Sequence, residues 1–138
     1  MKLLIVGCGR VGSAVAKGMA ADGHDVTVVD EDPEALGRLP EDWSGRFVQG
    51  HALDLDVLIE AGIETADAAV VATDGDNTNI VIAQVAQKRF ACPCVVTRVL
   101  DPARAAFYSS LGLQTVCATS AAIETTTRAI CANPGRAA

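Results

Sequence analysis

The residues most able to do chemistry stand near the start of the chain. Gly7-Cys8-Gly9-Arg10-Val11-Gly12 spells G-x-G-x-x-G, and an acid, Asp30, closes the next apolar run. Alone the glycine pattern says little, since glycine supplies 12 of the 138 residues. Its setting gives it meaning: the apolar run Lys2 to Val6 precedes it and a helical pattern follows. In such a strand–turn–helix each glycine has its own mechanical task. Gly7 makes the tight turn, Gly9 lets backbone approach a pyrophosphate, and Gly12 lets the helix lie close on the strand. Unpaired N–H groups at the helix start offer an anion site. Asp30 then sits where a carboxylate accepts from both hydroxyls of an adenosine ribose and repels a 2′-phosphate, with Glu31 and Asp32 adding to the repulsion. Asp32 has a second use, as the cap of a helix opened by Pro33. NAD, ATP, ADP and AMP share that ribose, so Asp30 does not separate them.

The elements that must position these residues alternate along the chain. Strands are expected at Lys2–Val6, Asp25–Asp30, Arg46–Gln49, Ala68–Ala72, Cys94–Arg98 and Thr115–Ala118. Between and after them lie helical patterns. The first runs from Val11 to Asp22 with Val11, Ala14, Val15, Gly18 and Met19 on one face. The next is short, from Pro33 to Leu39, and another follows the cap Asp54 and is closed by Gly62. The last three run from about Asp76 to Phe90, from Pro102 to near Gly112, and from Ser120 to about Cys131. Right-handed crossovers turn this alternation into an α/β Rossmann-type three-layer fold. Its six-stranded parallel sheet takes the order 3-2-1-4-5-6, with helices on both faces. Residues 1–132 form that domain, and 133–138 read as a linker stump. Ligands bind such sheets at the carboxyl ends of the strands. Gly50-His51-Ala52, Thr73-Asp74 and Arg98 all fall there. A loop histidine is ordinarily just solvated, whereas an arginine at that rim suits a phosphate or a neighbouring subunit.

Composition excludes several other classes. The net charge is −6 and the eleven basic residues are scattered, which argues against a nucleic-acid partner and against a polybasic membrane contact. No stretch approaches a membrane span. Met1 to Cys8, MKLLIVGC, superficially resembles a lipoprotein signal, but its apolar region is too short and a buried first strand explains it better. The five cysteines lack metal-ligand spacing and read as reduced, mostly buried small hydrophobes. Cys92-Pro93-Cys94 leaves a thiol switch as a minor reading.

Longer blocks carry a resemblance. VGCGRVGSAVAKGMAADGHDVTVVDEDP, GHALDLDVLIEAGIETADAAVVATDGDNTN and VTRVLDPARAAFYSSLGL together resemble the Trk/Ktr family of potassium-uptake regulators, in their N-terminal domain regulating potassium conductance. The resemblance covers Met1 to about Ile130, and its middle block is the most specific. It implies a cytoplasmic, non-catalytic regulatory domain that binds NAD(H) or an adenine nucleotide (ATP, ADP or AMP). It also implies a homo-oligomer, a dimer or a ring of dimers, peripheral to the membrane through a potassium transporter subunit whose pore it gates. Carried over by resemblance, Gly7, Gly9, Arg10, Val11 and Gly12 form the cradle and Asp30 holds the ribose. His51 and Ala52 flank the adenine, and Thr73, Asn79 and Arg98 line the remaining side. The family's Pro-Glu pair after the sixth strand reads Ser120-Ala121 here, with Glu124 a turn later, so no metal site is expected. The rival reading is the cofactor half of an NAD-dependent oxidoreductase. It needs an acid or base over the nicotinamide, and His24 lies in a turn away from the expected rim.

Overall fold

The computed structural model describes residues 1–133 and 135; of the expected linker stump, residues 134 and 136–138 lie outside the described residues. The strands are β1 (Lys2–Val6), β2 (Asp25–Asp30), β3 (Arg46–Gln49), β4 (Ala68–Val71), β5 (Val95–Arg98) and β6 (Gln114–Val116). They form one six-stranded sheet in the order β3-β2-β1-β4-β5-β6, every neighbouring pair parallel. This is the expected order. The helices are α1 (Arg10–Ala21), α2 (Leu55–Glu60), α3 (Asp76–Lys88), α4 (Pro102–Ser110) and α5 (Ala118–Cys131). Pro33–Arg38 is a 3₁₀ helix, with the Asp32 side chain accepting from the Glu34 N–H at 2.9 Å, so the capping use of Asp32 is the one realised. Gly62, at φ 90°, closes the α2 segment as expected.

Strand alternation divides the core into two layers. Leu4 and Val6 of β1 point to a larger cluster with Val29, Leu58, Val71, Ile80 and Ile82. Leu3 and Ile5 point the other way, to Cys8, Ala16, Val26, Val28 and Ala35. The helix α1 is rotated from the orientation its apolar residues suggest. Gly12, Ser13 and Ala16 are buried, Val15 and Met19 half-buried, and Val11, Ala14 and Gly18 exposed. Steric fit decides this: a Cβ on Gly12 would stand 1.8 Å from the Gly7 carbonyl oxygen, so residue 12 must face the strand and the larger Val11 turns outward.

The C-terminal end also departs from expectation. The sixth strand ends at Val116 rather than Ala118, because the Cys117 side chain accepts from the Ser120 N–H and starts α5 at Ala118. Every residue of α5 is exposed, including Ile123 and Ile130, and none packs into the core. The cysteines are all free, but only Cys8 and Cys92 are buried; Cys94 and Cys117 are intermediate and Cys131 is exposed. Burial pushes the thiols of Cys8 and Cys92 above the ordinary range. Hydrogen bonds from the Ser120 hydroxyl and amide hold Cys117 below it.

A lowered thiol pKa enlarges the thiolate fraction at a given pH, and the thiolate is the nucleophile. Pulsed alkylation read by mass spectrometry should therefore modify Cys117 first, persisting below the ordinary thiol range. Cys8 and Cys92 should react only after unfolding. Labelling of Cys8 as fast as that of Cys117 in the folded chain would contradict the burial described.

Candidate functional site

A cleft of about 330 Å³ opens at the carboxyl edge of the sheet, walled by the segments that follow β1, β2, β3 and β4. The chain runs outward from β1 through β2 to β3 and then crosses back to β4 on the other side of β1, so the cleft lies at the switch point where open α/β sheets take ligands.

The glycine turn forms its floor. Gly7 has φ 96°, and a Cβ there would lie 2.6 Å from the Ala72 carbonyl oxygen, so both conformation and space demand glycine. Gly12 is required by its approach to Gly7. Gly9 is different: a Cβ built on it meets nothing within 4 Å among the described residues, and its φ of −79° is open to any residue. Gly9 also caps α1 without a side-chain bond, and no acidic residue occupies the first turn. The first-turn N–H groups of α1 thus lack a side-chain acceptor, the arrangement that favours an anion.

Asp30 is held in place at the end of β2. One carboxylate oxygen accepts from the Cys8 N–H at 2.7 Å and the other from the Asp32 N–H at 2.9 Å. Each oxygen keeps a further lone pair, and two such acceptors side by side match a vicinal diol. Across the mouth, His51 Nε2 lies 3.5 Å from Glu31 Oε2, while its Nδ1 accepts from the Leu53 N–H at 3.3 Å. Ala52 is buried beneath.

The far wall is Thr73, fixed by a side chain behind it. Asn79 is fully buried at 0% exposure. Its oxygen accepts from the Thr73 N–H at 2.9 Å and the Thr73 hydroxyl at 2.5 Å. Its amide nitrogen donates to the carbonyls of Thr73 and Arg98, both at 3.0 Å. The Arg98 guanidinium donates to the Thr73 carbonyl at 2.6 Å. Asp76 ties the same loop to the next one, accepting from the N–H groups of Leu100 at 2.8 Å and Asp101 at 3.1 Å.

Of the residues singled out in the sequence, Gly7, Gly9, Asp30, His51, Ala52 and Thr73 line the cleft. Gly12, Asn79 and Arg98 do not; they stand behind the wall and shape it. Arg10 and Val11 are exposed on the first turn of α1, outside the lining. Sequence reasoning missed Arg38, Gly75 and Thr78, which also line the cleft. Arg38 ends the 3₁₀ helix and donates to the Cys8 carbonyl at 3.1 Å, a contact with no local sequence signal. Asp74 lines the cleft beside Thr73. Among the described residues, no group of three or more His, Cys, Asp or Glu could hold a metal ion. Glu124 pairs with Arg128 at 2.6 Å on the exposed α5. His24 meets the N-terminal amine at 3.4 Å, away from the cleft.

A family model described as the TrkA-N domain matches residues 3–119. The chain belongs to the TrkA-N domain family. It is 47% identical over 116 residues to the Trk system potassium uptake protein TrkA of Streptomyces coelicolor, a match covering 84% of this chain and 52% of that protein. The chain thus spans about half the length of that curated relative, and a smaller share of some others. Among solved structures it resembles the AMP-bound form of the Kef CTD of Shewanella denitrificans, with a TM-score of 0.80 and 24% identity over 99% of this chain and 84% of that one. It also resembles the GsuK channel bound to NAD, with a TM-score of 0.67 and 20% identity over 83% of this chain and 21% of that one. Those two likenesses concern the fold.

The buried amide gives the site its own test. Asn79→Ala strands the Thr73 N–H and the Arg98 carbonyl, at a cost of about 3 kcal/mol. Urea unfolding should show that loss as a lower midpoint with an unchanged slope. A loss below about 1 kcal/mol, the size of an ordinary surface change, would show that the network does not hold the wall.

Proposed function

We propose that this chain is a nucleotide-sensing regulatory module. It binds NAD(H) or an adenine nucleotide in the cleft, performs no catalysis, and biases a membrane potassium transporter through the shape of its own dimer or ring at the cytoplasmic face. The observation that carries the reading is the space over Gly9. Nothing among the described residues fills it, the backbone conformation there does not require glycine, and unlike the equally open Gly18 and Gly37 it lines the cleft, so the missing side chain makes room for something from outside. A phosphate fits that space, with the first-turn N–H groups of α1 as donors and Asp30 placed for the ribose. The neighbours bound to AMP and to NAD support the ligand class, and the Trk relatives support the partner. Among the described residues no helix is long and apolar enough to cross a membrane, so the transporter would be a separate chain or segment.

The deciding measurement is calorimetry with NADH, NAD, ATP, ADP and AMP on one preparation. Gly9→Val should abolish binding of all of them while leaving the melting temperature within a few degrees, because the new side chain enters open space. Gly12→Ala should instead lower stability outright. Full affinity in Gly9→Val, or no binding by the unaltered chain, would end the reading.

Self-association rests on α5. Ile123 and Ile130, seven residues apart on α5, are exposed, as are Phe107 of α4, Leu111 just after it and Val116 of β6. A second copy of this chain is the occupant proposed, paired about a twofold axis so that the same helix serves both sides. A 14-residue helix is about 21 Å long, enough to seed an interface of ordinary size. Light scattering should give a dimer or a higher even oligomer, and Ile123→Asp with Ile130→Asp should give the monomer. A monomeric unaltered chain would assign that surface to other segments of a longer protein.

A further inference from the structure

Arg38 is the one lysine or arginine lining the cleft among the described residues, against the carboxylates of Asp30, Glu31, Asp32 and Asp74. Its position is fixed from two directions. The 3₁₀ helix it ends is held to the glycine turn through Ala35, buried at 0% exposure, whose carbonyl accepts from Cys8 Sγ at 3.3 Å. The guanidinium itself donates through one nitrogen to the Cys8 carbonyl at 3.1 Å. Asp30 holds the opposite side of the same residue, accepting from the Cys8 N–H at 2.7 Å. A carboxylate and a guanidinium thus bracket one residue, Cys8, through its two adjoining peptide groups at the ribose end of the cleft. Arg38 makes no ion pair among the described residues, so it is not consumed in neutralising Asp30. A guanidinium carries five N–H donors, and the chain engages it through the Cys8 carbonyl alone among the described residues.

In dinucleotide sites these two groups are ordinarily alternatives: an acid binds the ribose 2′-hydroxyl, or an arginine accommodates a 2′-phosphate. Here both stand at one corner. We propose that Arg38 is a ligand-contacting specificity residue that reads the 2′ position together with Asp30. The carboxylate accepts from the 2′-hydroxyl and excludes a 2′-phosphate by charge; the guanidinium donates to the 2′ oxygen. Rejection of a phosphorylated ribose then centres on the Asp30 charge, with Glu31 and Asp32 adding to it, and removing the Asp30 charge leaves the Arg38 guanidinium as a phosphate donor already in place. This rests on the proposal that the cleft binds an adenine nucleotide.

The experiment is a fluorescence titration of the full chain with NADH and NADPH, with ADP and AMP as competitors, compared across five forms. The unaltered chain should prefer NADH. Asp30→Ser should reverse the preference, raising the NADPH to NADH affinity ratio by about tenfold or more, the effect of one charge-assisted hydrogen bond. Asp30→Asn keeps an acceptor for the Cys8 N–H and should move the ratio the same way if the serine form folds poorly. Asp30→Ser with Arg38→Ala should lose the gain. Arg38→Ala alone should weaken NADH, ADP and AMP by one common factor, since all present the same ribose. A purely structural Arg38 would lower both affinities and leave the ratio unmoved. An unaltered chain that binds no adenine nucleotide overturns the reading of the cleft and this proposal together. A chain that binds NADH but gains no NADPH preference without the Asp30 charge, or gains it equally without Arg38, overturns this proposal alone.

Discussion

The Gly7 carbonyl oxygen lies where a Cβ of residue 12 would stand, 1.8 Å from it, and the rest of the carboxyl edge is arranged around that approach. Because α1 cannot rotate residue 12 away from β1, its rotation is set by sterics, and its small residues Gly12, Ser13 and Ala16 face the sheet. The same turn presses on β4 from the other side, where Gly7 meets the Ala72 carbonyl with no room for a side chain. A helix and two strands therefore converge without side chains between them. The N-terminus of α1 arrives at the end of β1 with its first-turn N–H groups free of a side-chain cap. The emptiness at Gly9 has meaning only against this crowding: the two neighbouring glycines are demanded by the protein, and the middle one is not.

Both walls of the cleft are set before any ligand enters. Asp30 is pinned by two backbone N–H groups, and Thr73 by a buried amide that makes four hydrogen bonds. A buried polar side chain costs stability unless each group finds a partner, so Asn79 is tolerated only because Thr73 in the loop after β4 and the last residue of β5, Arg98, supply acceptors and donors in the right places. The reverse also holds: those residues would carry unpaired groups without it. Rigid walls matter for a binding site because ordering them on association would subtract from affinity.

The sequence carried much of this in plain form. Short runs rich in β-branched residues mark most of the strands, those of β1 and β3 stopped directly by Gly7 and Gly50, and strict alternation with helices leaves one simple strand order, which the sheet adopts. What it did not carry depended on groups far apart in the chain. The buried face of α1 follows from a backbone contact, while periodicity counts only hydrophobicity: it groups Val11 with the apolar face, yet Val11 is 41% exposed. Asn79 and Arg98 fall near the right strand ends, but whether such a side chain faces the cleft or the protein depends on the fold of the loop beside it. Arg38 is invisible locally because a 3₁₀ helix must first fold back against the glycine turn. Cys117 is an unusual helix cap, which the pattern of residue types does not signal, so the expected strand runs to Ala118 while the observed one ends at Val116. The helical pattern of α5 was legible, but periodicity gives a face and not its partner.

Sensing imposes a further quantitative demand on such a site. A ligand shifts two shapes only by the difference in its affinity for them, and carrying an equilibrium from 1:99 to 99:1 takes about 5.5 kcal/mol. One charge-assisted hydrogen bond supplies about 1.5–3 kcal/mol, so no single contact in the cleft suffices. The wall offers a route for adding contributions. Asp76 bonds the N–H groups of Leu100 and Asp101, and Cys117 Sγ donates to the Leu100 carbonyl at 3.5 Å, so the loop beside Thr73 is joined to the start of α5 through one intervening loop. On the proposed reading, α5 is where copies meet. A concerted switch in a symmetric assembly then sums the small difference from each site. Two or more copies acting together reach what a single contact does not, so assembly into a dimer or ring would lower the demand on each cleft.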